Sequence, residues 1–248
     1  MGKSKTLILP DLESLVKAAA IYFSVAVKEA IQERGRFLAA LSSGDEAAFL
    51  LYETLGKPPY RDYIPWDKVH IFWCDEKCVP PDDEENNYYQ AWQNWLKHVV
   101  IPTENIHRIQ SELKKEEAVK NYINELQLFA ENADKPIFDF VQLSLGTFGQ
   151  VASLYPGYDP ELVARNLVYS IHYPQNTKLA DRIALSPLLI NHSHQVVITA
   201  NGSNKTEALV STIKGDRDKK RWPAQLIDPI NGLLVWMVDA AAAKDHLV

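Results

Sequence analysis

The sequence predicts an α/β protein in which helices flank a mostly parallel, Rossmann-like sheet. Three observations carry this. Short apolar runs alternate with helix-period patterns over the whole chain. The segment Phe138 to Gly157 reads as an apolar strand running into a small-residue turn and a helix start, the arrangement that places a ligand crevice in open α/β sheets. A chain of 248 residues is long enough to bury a sizeable core.

The elements follow in order. Leu7-Ile8-Leu9 is the first strand. Asp11 caps a helix from Leu12 to about Arg34, with Leu15, Ala18, Ile21, Tyr22 and Val25 at helical spacing. Arg36 to Leu41 is a buried-type strand that ends at Ser42-Ser43-Gly44, and a helix runs from Ala47 to Leu55. Val69 to Trp73 is a strand, Asn87 to Val99 and Glu116 to Phe129 are helices, and Phe138 to Leu145 is the strand before the small-residue turn. Val168 to His172, Arg182 to Leu185 and Val196 to Ala200 are further strands. Thr206 to Ile213 is a helix, and Leu233 to Val238 is the last strand before an alanine-rich tail. With no repeat, low-complexity tract or linker, residues 1–248 read as a single domain.

Composition narrows the function. A net charge of -6 offers no basic stripe for nucleic acid. Cys74 and Cys78 make neither a disulfide framework nor a zinc quartet. Leu7 to Leu9 is too short for a signal peptide's apolar region, and no run approaches a membrane span. The expectation is a soluble, cytoplasmic protein.

The segment Ser144-Leu145-Gly146-Thr147-Phe148-Gly149-Gln150-Val151-Ala152-Ser153-Leu154-Tyr155-Pro156-Gly157 resembles the loop of the 6-phosphogluconolactonase family, usually G-x-G-x-D-G-H-T-A-S-L-F-P-G. The resemblance extends through Trp66 to Trp73, Asp75-Glu76, Val79 to Asp83, Asn87-Tyr88, Lys178 to Ile183, Gly202 to Lys205 and Pro223 to Ile227. It implies the 6-phosphogluconolactonase/glucosamine-6-phosphate isomerase type of fold. It also implies hydrolysis of a small-molecule substrate, a phosphorylated sugar lactone of the pentose phosphate pathway, by a histidine base that activates water, without a metal or organic cofactor. Basic residues and a Gly-rich turn would hold the phosphate, with Ser42, Ser43, Gly44, Arg182 and Lys205 standing at those positions.

The departures cluster at strand ends. Phe148 stands for the family's aspartate and Gln150 for its histidine, and a neutral carboxamide takes up no proton near neutral pH. On that ground the native activity is expected to be lost. Ser42-Ser43-Gly44-Asp45-Glu46-Ala47-Ala48 replaces S-G-G-S-T-P-K, putting two carboxylates where a phosphate would meet a helix N-terminus. Cys74-Asp75-Glu76-Lys77 replaces G-D-E-R, and lysine lacks the planar fork of arginine. Ser144 stands for glycine, and Arg182-Ile183-Ala184-Leu185-Ser186 for R-I-T-L-T.

Two further readings follow. The pocket was remade for another ligand or reaction, by divergence or by redesign, and its Ala, Phe, Val and Cys make it fit an apolar ligand. Alternatively the chain is a pseudoenzyme that binds a sugar phosphate without turnover. A remade catalyst would use the Cys74 thiolate, the Lys77 amine as a Schiff base, or Glu46 or Asp45 as a carboxylate base. Each has a plainer alternative: a buried small residue, an ion pair beside Asp75 and Glu76, a capped helix. His192-Ser193-His194 has the look of a metal or dyad seed, but as a solvated loop pair it completes no site. His70 reads as sheet packing.

Overall fold

A computed structural model describes residues 3–130, 135–172 and 180–244. Lys178 and Leu179, which open the string Lys178 to Ile183, lie outside the described residues. The chain runs β1 (Lys3–Leu9), α1 (Leu12–Arg34), β2 (Phe37–Leu41), α2 (Glu46–Leu55), α3 (Tyr60–Tyr63), β3 (Val69–Trp73), β4 (Asp75–Lys77), α4 (Asn87–Asn94) and β5 (Ile106–His107). It continues through α5 (Lys115–Gln127), β6 (Phe140–Ser144), α6 (Pro160–Arg165), β7 (Val168–Ile171), β8 (Arg182–Leu185) and α7 (Pro187–Ile190). The last elements are β9 (Gln195–Ala200), α8 (Thr206–Ile213), β10 (Leu233–Asp239) and α9 (Ala240–Ala243). Seven strands form one sheet in the order β1-β10-β9-β6-β2-β3-β5, and every neighbouring pair is parallel. The expected mostly parallel sheet between helices is thus observed. A second sheet, β4-β8-β7, is antiparallel.

The two sheets meet at Cys74. Its N–H donates to Leu41 at 2.9 Å and its carbonyl accepts from Leu185 at 2.7 Å, so one residue passes the chain from the main sheet into the small one. All strand C-termini of the main sheet face the same way, and the small sheet stands over that end. This is the geometry that opens a crevice.

Long strand-facing apolar runs fill the core on both sides of the sheet. Phe23 of α1 is its aromatic hub: its ring lies 5.2 Å from that of Phe37, 5.5 Å from Phe140 and 6.1 Å from Trp95, all edge-on. Helix α1 forms as expected because Asp11 caps it, accepting from Ser14 N–H at 2.8 Å, and Gly35 ends it at φ 78. Removing the hub ring should leave a cavity the rigid sheet cannot close. Phe23→Ala is expected to cost about 3–5 kcal/mol, read as a lower urea midpoint at unchanged slope.

The edge of the sheet carries a feature the sequence did not disclose. His107 Nδ1 lies 2.7 Å from Glu125 Oε1, and His107 Nε2 lies 3.1 Å from His70 Nδ1. With the His107 Nδ1–H donated to Glu125, its Nε2 accepts the N–H of His70. The rings of Phe72 and Phe129 enclose the pair. His70 therefore packs on the sheet, as expected, and also belongs to a hydrogen-bonded chain. Burial, then the neighbouring His107 and Arg36, push His70 down to about 4. An unfolded histidine titrates near 6.5 and takes up its proton first. The stability from neutral His70 is thus complete above about pH 6.5 and is lost as pH falls from there through 4. The stability advantage of the protein over His70→Phe should shrink between about pH 7 and pH 4.5, measured by urea unfolding at each pH.

Candidate active site

The C-terminal strand ends and the small sheet enclose a cavity of about 180 Å³. Ser42, Ser43, Gly44 and Asp45 reach it from the end of β2, Asp75 and Lys77 from β4, and Asn87 from the start of α4. Ser144, Leu145 and Gly146 come from the end of β6, and Gln150 to Ser153 and Tyr155 from the following turn. Arg182 enters from β8 and Lys205 from the turn after β9. The structure therefore gathers Gln150, Lys77, Ser42, Ser43, Gly44, Arg182 and Lys205 from distant parts of the chain.

The small-residue turn is built around Gln150. Gly146 N–H donates to the Gln150 carbonyl at 2.8 Å, and the Gln150 side-chain Oε1 accepts from Phe148 N–H at 2.9 Å. The carboxamide lies so close over Gly146 that a Cβ there would fall 1.8 Å from it. Gly149, at φ 74, passes against Trp222 with room for no side chain. Ala152 and Ser153 follow at φ 43 and 61, left-handed conformations that non-glycine residues adopt only when their surroundings enforce them.

Ser153 is held by a buried carboxylate of the cavity wall. Buried Asp75 accepts from Ser42 Oγ at 3.2 Å through Oδ1, and from Arg182 Nη1 at 3.2 Å and the Ser153 hydroxyl through Oδ2. Arg182 Nη1 also donates to Ser153 Oγ at 3.2 Å. Both Asp75 oxygens are thus engaged, and they hold one cation in place. The adjoining Glu76 points away from the cavity, accepting from the N–H groups of Asn87, Tyr88 and Lys77. Burial pushes it up to about 8.

Several expectations need correction. Cys74 does not reach the crevice: it is fully buried, and its Sγ meets the Gln142 carbonyl at 3.8 Å. Burial, then Asp75, push its thiol well up, the reverse of what a nucleophilic thiolate requires. Glu46 is exposed in the first turn of α2 and lines no part of the cavity, so it does not serve as its base. Lys77 does line it, but its Nζ pairs with Glu85 at 3.3 Å, not with Asp75 or Glu76, and an attacking amine must be unpaired and neutral. Phe148 is 56% exposed. With Phe148 and Cys74 outside the lining, the cavity wall is mostly serine, carboxylate, amide and cation, and the expected apolar pocket is absent.

Helix α2 closes one side. Asp45 caps it, with Oδ1 accepting from Ala48 N–H at 2.9 Å. The Ser43 hydroxyl is shared with Tyr52 Oη at 2.9 Å. Lys205 is half-buried across from Asp45; burial pulls its ammonium down while Asp45 pulls it up. His192 and His194 sit before β9, at the opposite end of the sheet from the cavity. Among the described residues no cluster of three or more His, Cys, Asp or Glu could hold a metal. No helix there is long and apolar enough to cross a membrane.

The sequence reading missed Asp75, Asn87, Ser153 and Tyr155 as cavity residues. All four stood inside the strings that carry the family resemblance, but none had been given a role, and nothing local says that Asp75 meets Arg182 across 107 positions.

A parallel sheet with a polar, cation-bearing cavity at its strand ends defines an open α/β protein with a ligand crevice at the strand C-termini. Residues 10–236 match the family of glucosamine-6-phosphate isomerases/6-phosphogluconolactonase, and the chain belongs to it. It is 32% identical over 241 residues to the 6-phosphogluconolactonase of Synechocystis, covering 96% of each chain. It is 33% identical over 242 residues to that of Nostoc, again over 96% of each. Its fold superposes on 6-phosphogluconolactonase from Trypanosoma brucei with a TM-score of 0.85 at 21% identity, covering 99% of both chains.

Proposed function

We propose that this chain holds a small polyhydroxylated anion of the sugar-acid or sugar-lactone class and does not hydrolyse 6-phosphogluconolactone at an enzyme's rate. The observation that carries this is Gln150, seated in the turn with its carboxamide bonded to Phe148 N–H and folded over Gly146. A neutral amide there can orient a ligand or a water but cannot take its proton.

The remaining lining supports binding over turnover. Lys77, Arg182 and Lys205 bring positive charge to one small cavity. Arg182 is pre-positioned by Asp75 and Ser153, so little ordering is needed when an anion arrives. Of the two lining carboxylates, Asp75 has both oxygens engaged and Asp45 is spent on a helix cap. Neither is free to activate water as the cavity stands. The Cys74, Lys77 and Glu46 routes lack the exposure, the unpaired amine or the position they need.

Hydrolysis of 6-phosphogluconolactone by the unmodified chain tests the reading. The expected rate is close to that of buffer. A rate typical of enzymes, about 1 per second or more, means that another residue supplies the base and the reading is wrong.

A further inference from the structure

The outer face of α1 is less polar than a solvent-facing helix surface usually is. Lys17, Ile21, Val25 and Glu29 recur at every fourth position and so form one row along the helix. All four are exposed, Ile21 to 53% and Val25 to 47%. Exposed apolar side chains such as Val100, Leu128 and Ile230 stand on separate segments, which is ordinary for a protein surface. Ile21 and Val25 instead adjoin one another on a single ridge. An open groove of about 560 Å³ runs beside that ridge, lined by Ile21, Val25 and Glu29 and, from the sheet, by Lys5 and Leu233.

The order of the row says what it fits. From N- to C-terminus it reads cation, apolar, apolar, carboxylate. Turned end for end it reads carboxylate, apolar, apolar, cation. A second α1 laid antiparallel on the first therefore brings Lys17 to the partner's Glu29 and Ile21 to the partner's Val25, and the two-fold axis repeats both contacts. A parallel arrangement would set like charges together. Rows of this i, i+4 kind pack on each other when two helices cross at about −50°. At that angle the helix ends diverge, which separates the outlying Glu13 and Glu33 of the two chains. Within its own chain Lys17 pairs with Glu13 and Arg34 with Glu33. The first pair is fully in solvent and weak, so Lys17 is able to turn to the partner's Glu29.

The sheet edge is the rival contact. Among the described residues β1 pairs with β10 alone, which leaves its outer edge open. Exposed Lys3 and Lys5 stand on that edge, and charges so placed discourage a further strand from joining. We propose that α1 is the contact surface of a homodimer, in which two copies of this chain meet antiparallel across a two-fold axis at the row Lys17–Ile21–Val25–Glu29. None of the four residues lines the cavity, so the contact is independent of the ligand reading.

Sedimentation equilibrium of the full chain over a range of concentrations tests the proposal. A single helix crossing is a small interface, and the expected dissociation constant is about 1–100 µM. All four positions are exposed, so substitutions there keep the fold. Ile21→Glu should weaken association at least about tenfold, because it places a charge in the apolar centre of the contact. Lys17→Glu alone and Glu29→Lys alone should each weaken it about threefold or more, by opposing like charges. The two exchanges combined should restore the affinity to within about twofold, since the row then keeps its complementarity with the signs reversed. A chain that stays monomeric up to about 1 mM overturns the proposal and leaves the row to a different kind of partner. A dimer that Ile21→Glu does not weaken also overturns it, by placing the contact elsewhere. So does a combined exchange that associates no better than either single one, because the antiparallel pairing is then wrong.

Discussion

Phe148→Asp combined with Gln150→His should raise 6-phosphogluconolactone hydrolysis by a factor of about 100 to 10,000 over the unmodified chain. The turn is already shaped for this exchange. The side chain at position 150 lies over Gly146, where the missing Cβ leaves room for it, and it is steadied by Phe148 N–H. Phe148 itself is 56% exposed, so its ring contributes little packing and an aspartate there costs little stability. An imidazole in that place has a pKa near neutrality, and a neighbouring carboxylate can fix its tautomer. The recovered rate should rise with pH through about 6 to 7, as a base of that pKa requires, and Gln150→His alone should recover less. The gain should appear mainly in kcat. KM should stay high until Asp45→Ser is added, because the carboxylate at the α2 N-terminus acts on the phosphate and not on the lactone carbonyl. Equal activity in the double variant and the unmodified chain would place the lesion elsewhere in the cavity.

The parts of this structure that were legible in the sequence are those written in local periodicity. Helix α1, with Asp11 before it and Gly35 after it, and strand β3 stand where the apolar spacing puts them. Strand β4 was not legible. Three residues, Asp75–Lys77, carry no period of their own and become a strand only by pairing with β8. That omission hid the most important contact of the site, because Asp75 and Arg182 meet only when the small sheet forms. Cys74 shows the converse error. Its position at a strand end suggested an exposed thiol, but the link between sheets uses both its backbone groups and turns the sulfur into the core. The cavity's charge was legible, since Asp45, Arg182 and Lys205 were all singled out. Its polarity was misjudged because the substituted apolar residues Phe148 and Cys74 were assumed to line it.

The second large effect is expected at Asp75. Asp75→Asn keeps the size of the side chain but removes the charge that faces Arg182, whose side chain is 15% exposed and poorly placed to recruit solvent instead. Breaking one partner of a buried ion pair costs about 3–5 kcal/mol, because the other charge is left uncompensated. Ser42 donates to Oδ1 and Ser153 to Oδ2, and the carboxamide keeps only one of these two acceptors, so the network around the left-handed Ser153 is weakened as well. Stability and ligand affinity should therefore fall together. Ser153→Ala, which deletes only a hydroxyl from the network, should cost about 1 kcal/mol. The decisive comparison is Asp75→Asn with and without Arg182→Met. If the penalty comes from an orphaned cation, Arg182→Met in the Asp75→Asn background should restore part of the urea midpoint while leaving sugar-acid binding abolished. An Asp75→Asn protein within about 0.5 kcal/mol of the original would show that Asp75 is a spectator and that Arg182 is held by something else.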